Sequence, residues 1–257
     1  MRFSVLASGS SGNACYVETT HSRILIDAGL SAREITRRLE SVHVKASSLD
    51  ALFVTHEHSD HIKGLGPLAR RFNMSVFGNH TTLNRCIEVV GSIPRTIPIR
   101  TGETITLNDL SIETFTKCHD ALDPVGIIIS SDGKKLGLVT DLGRSTLLVE
   151  DRIKGCQALI IEFNHDRTML EEGPYRLDLK RRIRGPDGHL SNEQAGDLLE
   201  TVCHGDLKIV VPAHLSKINN LAEKAYDKAF HVLQSKQMDQ VRIIVSHQDR
   251  PTPMVDL

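Results

Sequence analysis

The sequence contains no tryptophan and few other aromatic residues, only seven phenylalanines and three tyrosines. This scarcity limits aromatic stacking as a source of ligand affinity. An excess of either charge is also missing, because 31 lysines and arginines nearly balance 32 aspartates and glutamates, for a formal net charge of −1. No field of the whole protein therefore attracts a polyanion, and contact with one would have to come from a local basic patch.

Long apolar runs are absent as well. No segment approaches the roughly 20 apolar residues that cross a bilayer, and the run Met1–Ser8 reaches its first serine and glycine too soon for the core of a signal peptide. The five cysteines are odd in number, lie far apart and form no CxxC pair, which is typical of reduced thiols. We therefore expect a cytoplasmic protein with no membrane partner, whose cysteines serve as small buried apolar residues.

Short apolar segments alternate along the chain with helical patterns. Ser31 and Glu34 form a capping-box pattern at one helix start, Ser191 and Gln194 form another, and Asn220 can cap a third helix. Strands dominate early and alternate with helices later, which favours sheets covered by helices, an α/β or α+β sandwich, in a single domain over 1–257. The predicted strands are 2–7, 14–18, 23–27, 51–55, 75–78, 110–115, 125–129, 135–140, 158–163, 208–212 and 241–246.

A cluster of ligand-type side chains follows the apolar segment Leu52–Thr55, at His56, His58, Asp60 and His61. In an extended backbone His56 and His58 point to the same side, so both imidazoles can reach one ion. If a helix follows, Asp60 and His61 can turn back toward a second ion nearby. A satisfied core histidine or a solvated loop accounts for one such residue far better than for all four, so the motif predicts a metal site.

Three more ligand-type residues, His119, Asp141 and His214, each follow a predicted strand. Each is a weak signal alone, because polar residues are common at strand ends. Together with the motif they supply the remaining ligands of a two-metal site. Imidazole and carboxylate donors suit zinc and also tolerate manganese or iron.

In this order, and with Asp27 ahead of them, these residues resemble the full signature of the metallo-β-lactamase superfamily over nearly the whole chain. The resemblance implies an α+β fold, the four-layer αββα sandwich, and two divalent metal ions, Zn²⁺ or Mn²⁺. It also implies that Asp27 supports the site without necessarily touching a metal. Matched by position, the resemblance implies that the first metal is bound by His56, His58 and His119. The second would be bound by Asp60, His61 and His214, and Asp141 would bridge the two.

Three features outside this set favour phosphodiester substrates. The segment Gly188–Asn192 resembles the tRNase Z branch, which implies that His189 protonates the leaving oxygen, although a surface histidine at a helix start is the alternative. The basic run Lys180–Arg184 could follow a phosphate backbone, and a solvated face explains it as well. The loop Ser8–Asn13 could cradle a phosphate with its backbone N–H groups, whereas a tight turn needing glycine is the simpler explanation.

Further segments resemble the YycJ/WalJ branch of the superfamily: SGSSGN at Ser8–Asn13, HDALDPVG from His119, NHD at Asn164–Asp166 and GHLSN at Gly188–Asn192. The resemblance implies a 5′→3′ DNA exonuclease that uses a metal-activated water, with Asp60 and His189 as catalytic residues. DNA with a 5′-phosphate end is the expected partner. The substrate-binding candidates are Ser10, Ser11, Asn13, Asn164, His165, Arg182, Arg184 and Ser191.

Other activities stay open, because one fold hosts many reactions. The ligand set also suits an RNA or small-molecule phosphodiesterase or a glyoxalase-type thioesterase, although the GHLSN and basic segments argue against the thioesterase. A non-enzymatic metal sensor would be marked by a lost ligand, and none is missing. The stretch between Asp141 and His214 is too short for a β-CASP domain, and no long arm of the tRNase Z kind is visible.

Overall fold

Two β-sheets of seven strands each form the centre of the protein in a computed structural model that describes residues 1–257. The strands of the first sheet are β1 (Arg2–Ala7), β2 (Ala14–Glu18), β3 (Arg23–Ile26), β4 (Ala51–Phe53), β5 (Ser75–Asn79), β6 (Arg95–Ile99) and β14 (Val255–Asp256). Their order across the sheet is β14-β1-β2-β3-β4-β5-β6. Neighbours from β14 to β3 run antiparallel and those from β3 to β6 run parallel.

The second sheet has the order β13-β12-β11-β10-β9-β8-β7. Its strands are β7 (Thr104–Leu107), β8 (Leu110–Thr116), β9 (Val125–Ser131), β10 (Lys134–Val139), β11 (Ala158–Glu162), β12 (Ile209–Ala213) and β13 (Arg242–Ile243). Strands β7 to β10 form an antiparallel meander, and β10 to β13 pair in parallel. Parallel neighbours bring the carboxyl ends of their strands to one edge of the sheet.

Helices cover the outer face of each sheet. They are α1 (Ala32–Ser41), α2 (Ser59–Ile62), α3 (Leu65–Phe72), α4 (His80–Val90), α5 (Leu147–Ile153), α6 (Arg167–Glu172), α7 (Leu177–Arg184), α8 (Asn192–Val202) and α9 (Ala222–Ser235), with a 3₁₀ turn at Ala46–Ser48. Buried apolar residues of α1, α3 and α4 pack on the first sheet, and those of α5, α8 and α9 pack on the second. No helix combines the length and the apolar character needed to span a membrane.

A cluster of 24 buried apolar residues fills the space between the two sheets. Phe53 and Phe77 stack there at a centroid separation of 4.7 Å, and residues such as Ile127 and Ile160 face them from the second sheet. Two further clusters lie between each sheet and its helices. The layers are therefore helix, sheet, sheet and helix, which confirms the predicted α+β, αββα sandwich.

Several local predictions need correction. Strands β6 and β7 were not predicted, because β6 contains Pro98 and both are short edge strands that are largely solvent-accessible. The last predicted strand shrinks to Arg242–Ile243. Helix α9 begins after Leu221, because Asn220 instead turns its amide toward the carbonyl of Phe163 and the side chain of Asn192.

Candidate metal centre

Strand ends from both sheets meet at one edge of the sandwich. Asp27 follows β3 and His56 follows β4 in the first sheet, whereas His119, Asp141 and His214 follow β8, β10 and β12 in the second. Three of these residues have left-handed backbone conformations, with φ of 58° at Asp27, 55° at Asp141 and 56° at His214. Such strained positions are uncommon for non-glycine residues and cluster at functional sites.

The first donor group consists of His56, His58 and His119, whose nearest ring nitrogens lie within 4.8 Å of one another. His119 Nε2 is 3.2 Å from His58 Nδ1. His56 Nε2 is buried without a hydrogen-bond partner, while Nδ1 of the same ring contacts the hydroxyl of Thr55 at 3.0 Å. Three imidazole nitrogens thus converge at one place.

The second donor group joins Asp60, His61, Asp141 and His214. Nε2 of His61 is 3.3 Å from Asp141 Oδ2, and Nε2 of His214 is 3.4 Å from Asp141 Oδ1. Asp141 Oδ1 also lies 3.8 Å from Nε2 of His119, a member of the first group. The carboxylate of Asp141 therefore stands between the two groups.

The chemistry of these residues fits a divalent cation. His56 Nε2, Asp141 Oδ2 and His214 Nε2 are all buried without hydrogen-bond partners, and such atoms are costly unless another ligand satisfies them. Nitrogen and carboxylate oxygen donors are those preferred by zinc and manganese. The arrangement indicates that the protein uses divalent metal.

Asp27 contacts His61 and Thr55 from behind the donor groups. Its Oδ2 accepts hydrogen bonds from His61 Nδ1 at 2.7 Å and from the Thr55 hydroxyl at 2.8 Å, and Oδ1 accepts from the Thr55 amide. Burial lowers the pKa of His61, but the carboxylates of Asp141 and Asp27 outweigh it and raise the pKa to about 10. Because Nδ1 is engaged with Asp27, Nε2 is the nitrogen turned toward the donor group, where it lies 3.0 Å from Asn13 Nδ2.

Glu162 is the functional residue that sequence reasoning missed. Its carboxylate is fully buried and accepts from His214 Nδ1 at 2.8 Å and from His189 Nδ1 at 2.9 Å. Burial raises the pKa of Glu162, whereas His189 and His214 together lower it to about 2. A signal existed, since Glu162 ends β11 between two strands whose ends carry predicted ligands. The Glu162 carboxylate also accepts hydrogen bonds from the backbone N–H groups of Asp141, Leu142 and Leu190.

Lys117 was also missed. Its side chain is fully buried, and Nζ donates to the carbonyls of Thr140 at 2.5 Å and Asp141 at 3.1 Å. Burial lowers the pKa of Lys117, and the carboxylates of Asp141 and Glu162 oppose this shift. The lysine thus fixes the backbone that carries Asp141 in its left-handed conformation.

An open cleft of about 300 Å³ lies over the two donor groups. His189 lines it with a side chain that is 22% exposed, and its ring centroid is 5.4 Å from that of His119 and 5.1 Å from that of His214. Three predicted substrate contacts, Ser10, Asn164 and Arg182, also line this cleft. Arg182 Nε pairs there with Asp120 Oδ2 at 2.5 Å.

The structure places the other predicted substrate contacts elsewhere. Asn13 is buried and closes its own loop, donating from Nδ2 to the Gly9 carbonyl and accepting from the Gly9 amide. Ser11 is exposed outside the cleft, and its amide donates to the side chain of Gln248. Their roles shift to shaping the loop that presents Ser10.

Three further predicted substrate contacts also lie outside the lining of the cleft: His165, Ser191 and Arg184. His165 and Ser191 are each 1% exposed and pair as an isolated β-bridge. The Ser191 hydroxyl accepts from the amide of Gln194 as the cap of α8. Arg184 pairs with Glu171 at 3.1 Å on another face of α7.

Two sheets packed face to face, with this histidine and aspartate cluster at their shared edge, define a metallo-β-lactamase-fold protein. A family model described as the beta-lactamase superfamily domain matches residues 22–215, and the chain belongs to that superfamily. Exodeoxyribonuclease YycJ of Bacillus anthracis is 38% identical over 238 residues, covering 92% of this chain and 90% of the relative. Exodeoxyribonuclease WalJ of Streptococcus pneumoniae serotype 2 (strain D39) is 38% identical over 230 residues, covering 88% and 85%.

Solved structures support the fold. The metallo-beta-lactamase fold protein YhfI from Bacillus subtilis superposes with a TM-score of 0.74 at 14% identity, covering 98% of each chain. The short form of human tRNase Z gives a TM-score of 0.67 at 14% identity, again over 98% of each chain. These likenesses concern architecture, because one fold carries many reactions. The family resemblance inferred from the sequence motifs is thus confirmed.

Proposed function

We propose that the protein is a two-metal phosphodiesterase that removes nucleotides from the 5′ end of DNA. The observation that carries this proposal is the position of His189, held in the cleft by Glu162 beside both donor groups. The metal-dependent hydrolase class rests on the superfamily, the donor cluster and the two similar exodeoxyribonucleases. The five free cysteines are in keeping with a reducing cytoplasm, where we place the protein.

The two donor groups would each hold one divalent ion, Zn²⁺ or Mn²⁺. When bound, such ions activate water as a nucleophile and neutralise charge on the phosphoryl oxygens. His61 and His214 each donate from Nδ1 to a buried carboxylate, Asp27 or Glu162, so the Nε2 atoms are fixed toward the cluster. Asp60 completes the second group, and Asp141 would bridge the two ions.

His189 would supply the proton to the departing oxygen. Its Nδ1 donates to Glu162, which leaves Nε2 as the nitrogen that can exchange a proton with substrate in the cleft. As water attacks phosphorus, the bond from phosphorus to the 3′ oxygen of the terminal nucleotide breaks, and that oxygen takes the proton from Nε2.

The DNA assignment rests on similarity and on the polar groups of the cleft. Two relatives that match this chain over most of their length are named exodeoxyribonuclease. Ser10 and Arg182 line the cleft at its rim, where a hydroxyl and a guanidinium can contact a terminal 5′-phosphate. Binding of such an end by charge would weaken as salt increases.

The test is nucleotide release from labelled DNA and RNA ends in the presence of Mn²⁺, Zn²⁺ or Mg²⁺. We expect mononucleotides from 5′-phosphorylated DNA, and a loss of roughly 10²- to 10⁴-fold in kcat for His189→Ala. In a substrate with sulfur in place of the bridging 3′ oxygen, the leaving group is a thiolate that departs without a proton. His189→Ala should therefore hydrolyse this substrate at nearly the wild-type rate. Hydrolysis confined to RNA or to thioesters such as glutathione esters would refute the proposal.

A further inference from the structure

The cleft has walls of opposite character. Metal-ligand candidates, His189, Ser10 and Asn164 form a polar wall, whereas the apolar residues that line the cleft all come from one segment, Tyr175 to Ile183. A phosphodiester needs only the polar wall. The apolar wall therefore calls for a different part of the substrate.

Helix α7 and the bend before it form the apolar wall. Leu179 lies three residues from Arg182 and four from Ile183 on α7, which places it beside both on one side of the helix. Tyr175 lies in the bend that precedes the N-cap residue Arg176, and it lines the same cleft. No residue of α7 is buried in the protein core. This side of α7 therefore does not pack in the core and is accessible to a ligand.

Hydrogen bonds tie this wall to the reacting groups. The amide of His189 donates to the carbonyl of Ile183 at 2.8 Å, so the end of α7 and the proposed acid are held together. Across the cleft, Arg182 pairs with Asp120, the neighbour of His119. The amide of Asp120 also donates to the carbonyl of Asp187 at 2.9 Å. The wall thus has a fixed position relative to the metal centre.

We propose that Tyr175, flanked by Leu179 and Ile183, is the subsite for the base of the nucleotide being removed. The proposal rests on the proposed function, because the phosphodiester at the metal centre sets where the attached base must lie. Tyr175 is half-buried and is the aromatic side chain that lines the cleft. Stacking on it suits every base, because each base presents a π-face.

The size of the cleft suits a small ligand. Its volume of about 300 Å³ falls at the lower end of the range for small-molecule sites, about 300 to 1,000 Å³. A base stacked on an aromatic ring gains about 5- to 150-fold in affinity. Arg182, on the same face, would meet the sugar-phosphate next to the stacked base.

The binding test compares deoxyadenosine 5′-monophosphate with 2-deoxyribose 5-phosphate, which lacks the base, by titration calorimetry of the metal-loaded protein. We expect the wild type and Tyr175→Phe to bind the nucleotide about 5- to 150-fold more tightly than 2-deoxyribose 5-phosphate. Tyr175→Ala should bind the two compounds equally. The matched control is Leu177→Ala, which removes a 70% exposed side chain of the same helix outside the cleft and should behave as wild type.

An unchanged preference for the nucleotide in Tyr175→Ala, or no preference in the wild type, would overturn the subsite. This outcome is separate from failure of the proposed function, which is decided by release of nucleotides from DNA ends. Wild-type protein that degrades DNA but binds both compounds equally would retain the exonuclease and lose the subsite. Protein that favours the nucleotide through Tyr175 but degrades no DNA would retain the subsite for another nucleotide ester.

Discussion

Lys117 shows how one buried cation supports a cluster of negative side chains. Its Nζ contacts only backbone carbonyls, at Thr140 and Asp141, so it acts on the position of the Asp141 carboxylate through the chain. Removing such a group leaves two buried carbonyls without a donor, which is costly. The residue therefore belongs to the support of the metal centre, although it touches no substrate.

We predict that Lys117→Met weakens metal binding by about 10- to 100-fold, the usual range for groups that orient metal ligands. Competition with a chromogenic chelator measures the change. Lys135→Met is the matched control, because Lys135 lies exposed on β10, the strand that precedes Thr140 and Asp141, and should leave affinity unchanged. Equal metal affinity in both variants would show that Asp141 keeps its place without Lys117.

Glu34 gives a pH-dependent contribution to stability. The hydrogen bond from Arg37, opposed by burial and reinforced by Arg38, lowers the pKa of Glu34 from 4.5 to about 2. Arg38 is itself buried and donates to the carbonyls of Leu6 and Gln248. Because the folded-state pKa is lowered, the stabilisation is full above pH 4.5 and is lost as the pH falls toward 2.

We expect Glu34→Gln to lower the free energy of unfolding by about 1 kcal/mol at pH 7, since Glu34 remains partly exposed. Urea denaturation at pH 7 and at pH 3 measures the difference from wild type, which should shrink at the lower pH. Glu40→Gln on the exposed side of the same helix serves as control. A difference that stays constant between the two pH values would contradict the role of the Glu34 charge.

At the scale of elements, the loop after α7 is packed too closely for any residue but glycine at position 188. A Cβ there would lie 2.2 Å from the carbonyl oxygen of Arg182 and 2.3 Å from that of Ile183. This close approach allows the next residue, His189, to donate its amide to Ile183. The tight packing therefore aligns the proposed acid with the apolar wall.

Gly188→Ala should lower kcat/KM on DNA by about 100-fold, because a displacement of about 1 Å at a reacting group costs that much. Initial rates of nucleotide release measure the effect, and thermal unfolding reports the fold separately. Gly205→Ala is the control, because a Cβ at that position meets no atom within 4 Å. Wild-type rates in Gly188→Ala would show that the loop tolerates the added carbon.

The basic run at Lys180–Arg184 illustrates what a helix does to a sequence pattern. Four cations in five residues suggested one phosphate-binding surface, but α7 distributes them around its axis. Arg182 lines the cleft, while Lys180 and Arg184 contact Glu171 on another face. Sequence proximity thus overstated the charge that a substrate would meet.

At the scale of the whole molecule, the proposed base subsite lies in a cleft of about 300 Å³, whereas a duplex end presents a base pair. The terminal nucleotide would then have to leave the duplex before it reaches the metal centre, at a cost of a few kcal/mol that is least for a mismatch. We predict that a 5′-terminal mismatch is cut about tenfold faster than a terminal G·C pair. The rate of release of the first nucleotide is measured on 5′-phosphorylated duplexes that differ only in the terminal pair. Equal rates for the mismatch and the G·C pair would contradict the prediction.

The sequence alone determined the fold class and the seven proposed metal ligands. It could do so because the ordered series of ligand-type residues resembles the superfamily signature, and because each member follows an apolar strand whose end lies at one edge of a sheet. Glu162 obeys the same rule at the end of β11, but a single glutamate at a strand end carried too little signal.

Only the tertiary structure decided which other groups share the cleft. Lys117 reaches Thr140 and Asp141 from a different strand, and Tyr175 faces the metal centre only because α7 is anchored to the loop at His189. The same packing buried His165 and Ser191, which the motif had made candidates. Such contacts depend on how distant segments meet across the sandwich, and no local pattern encodes that meeting.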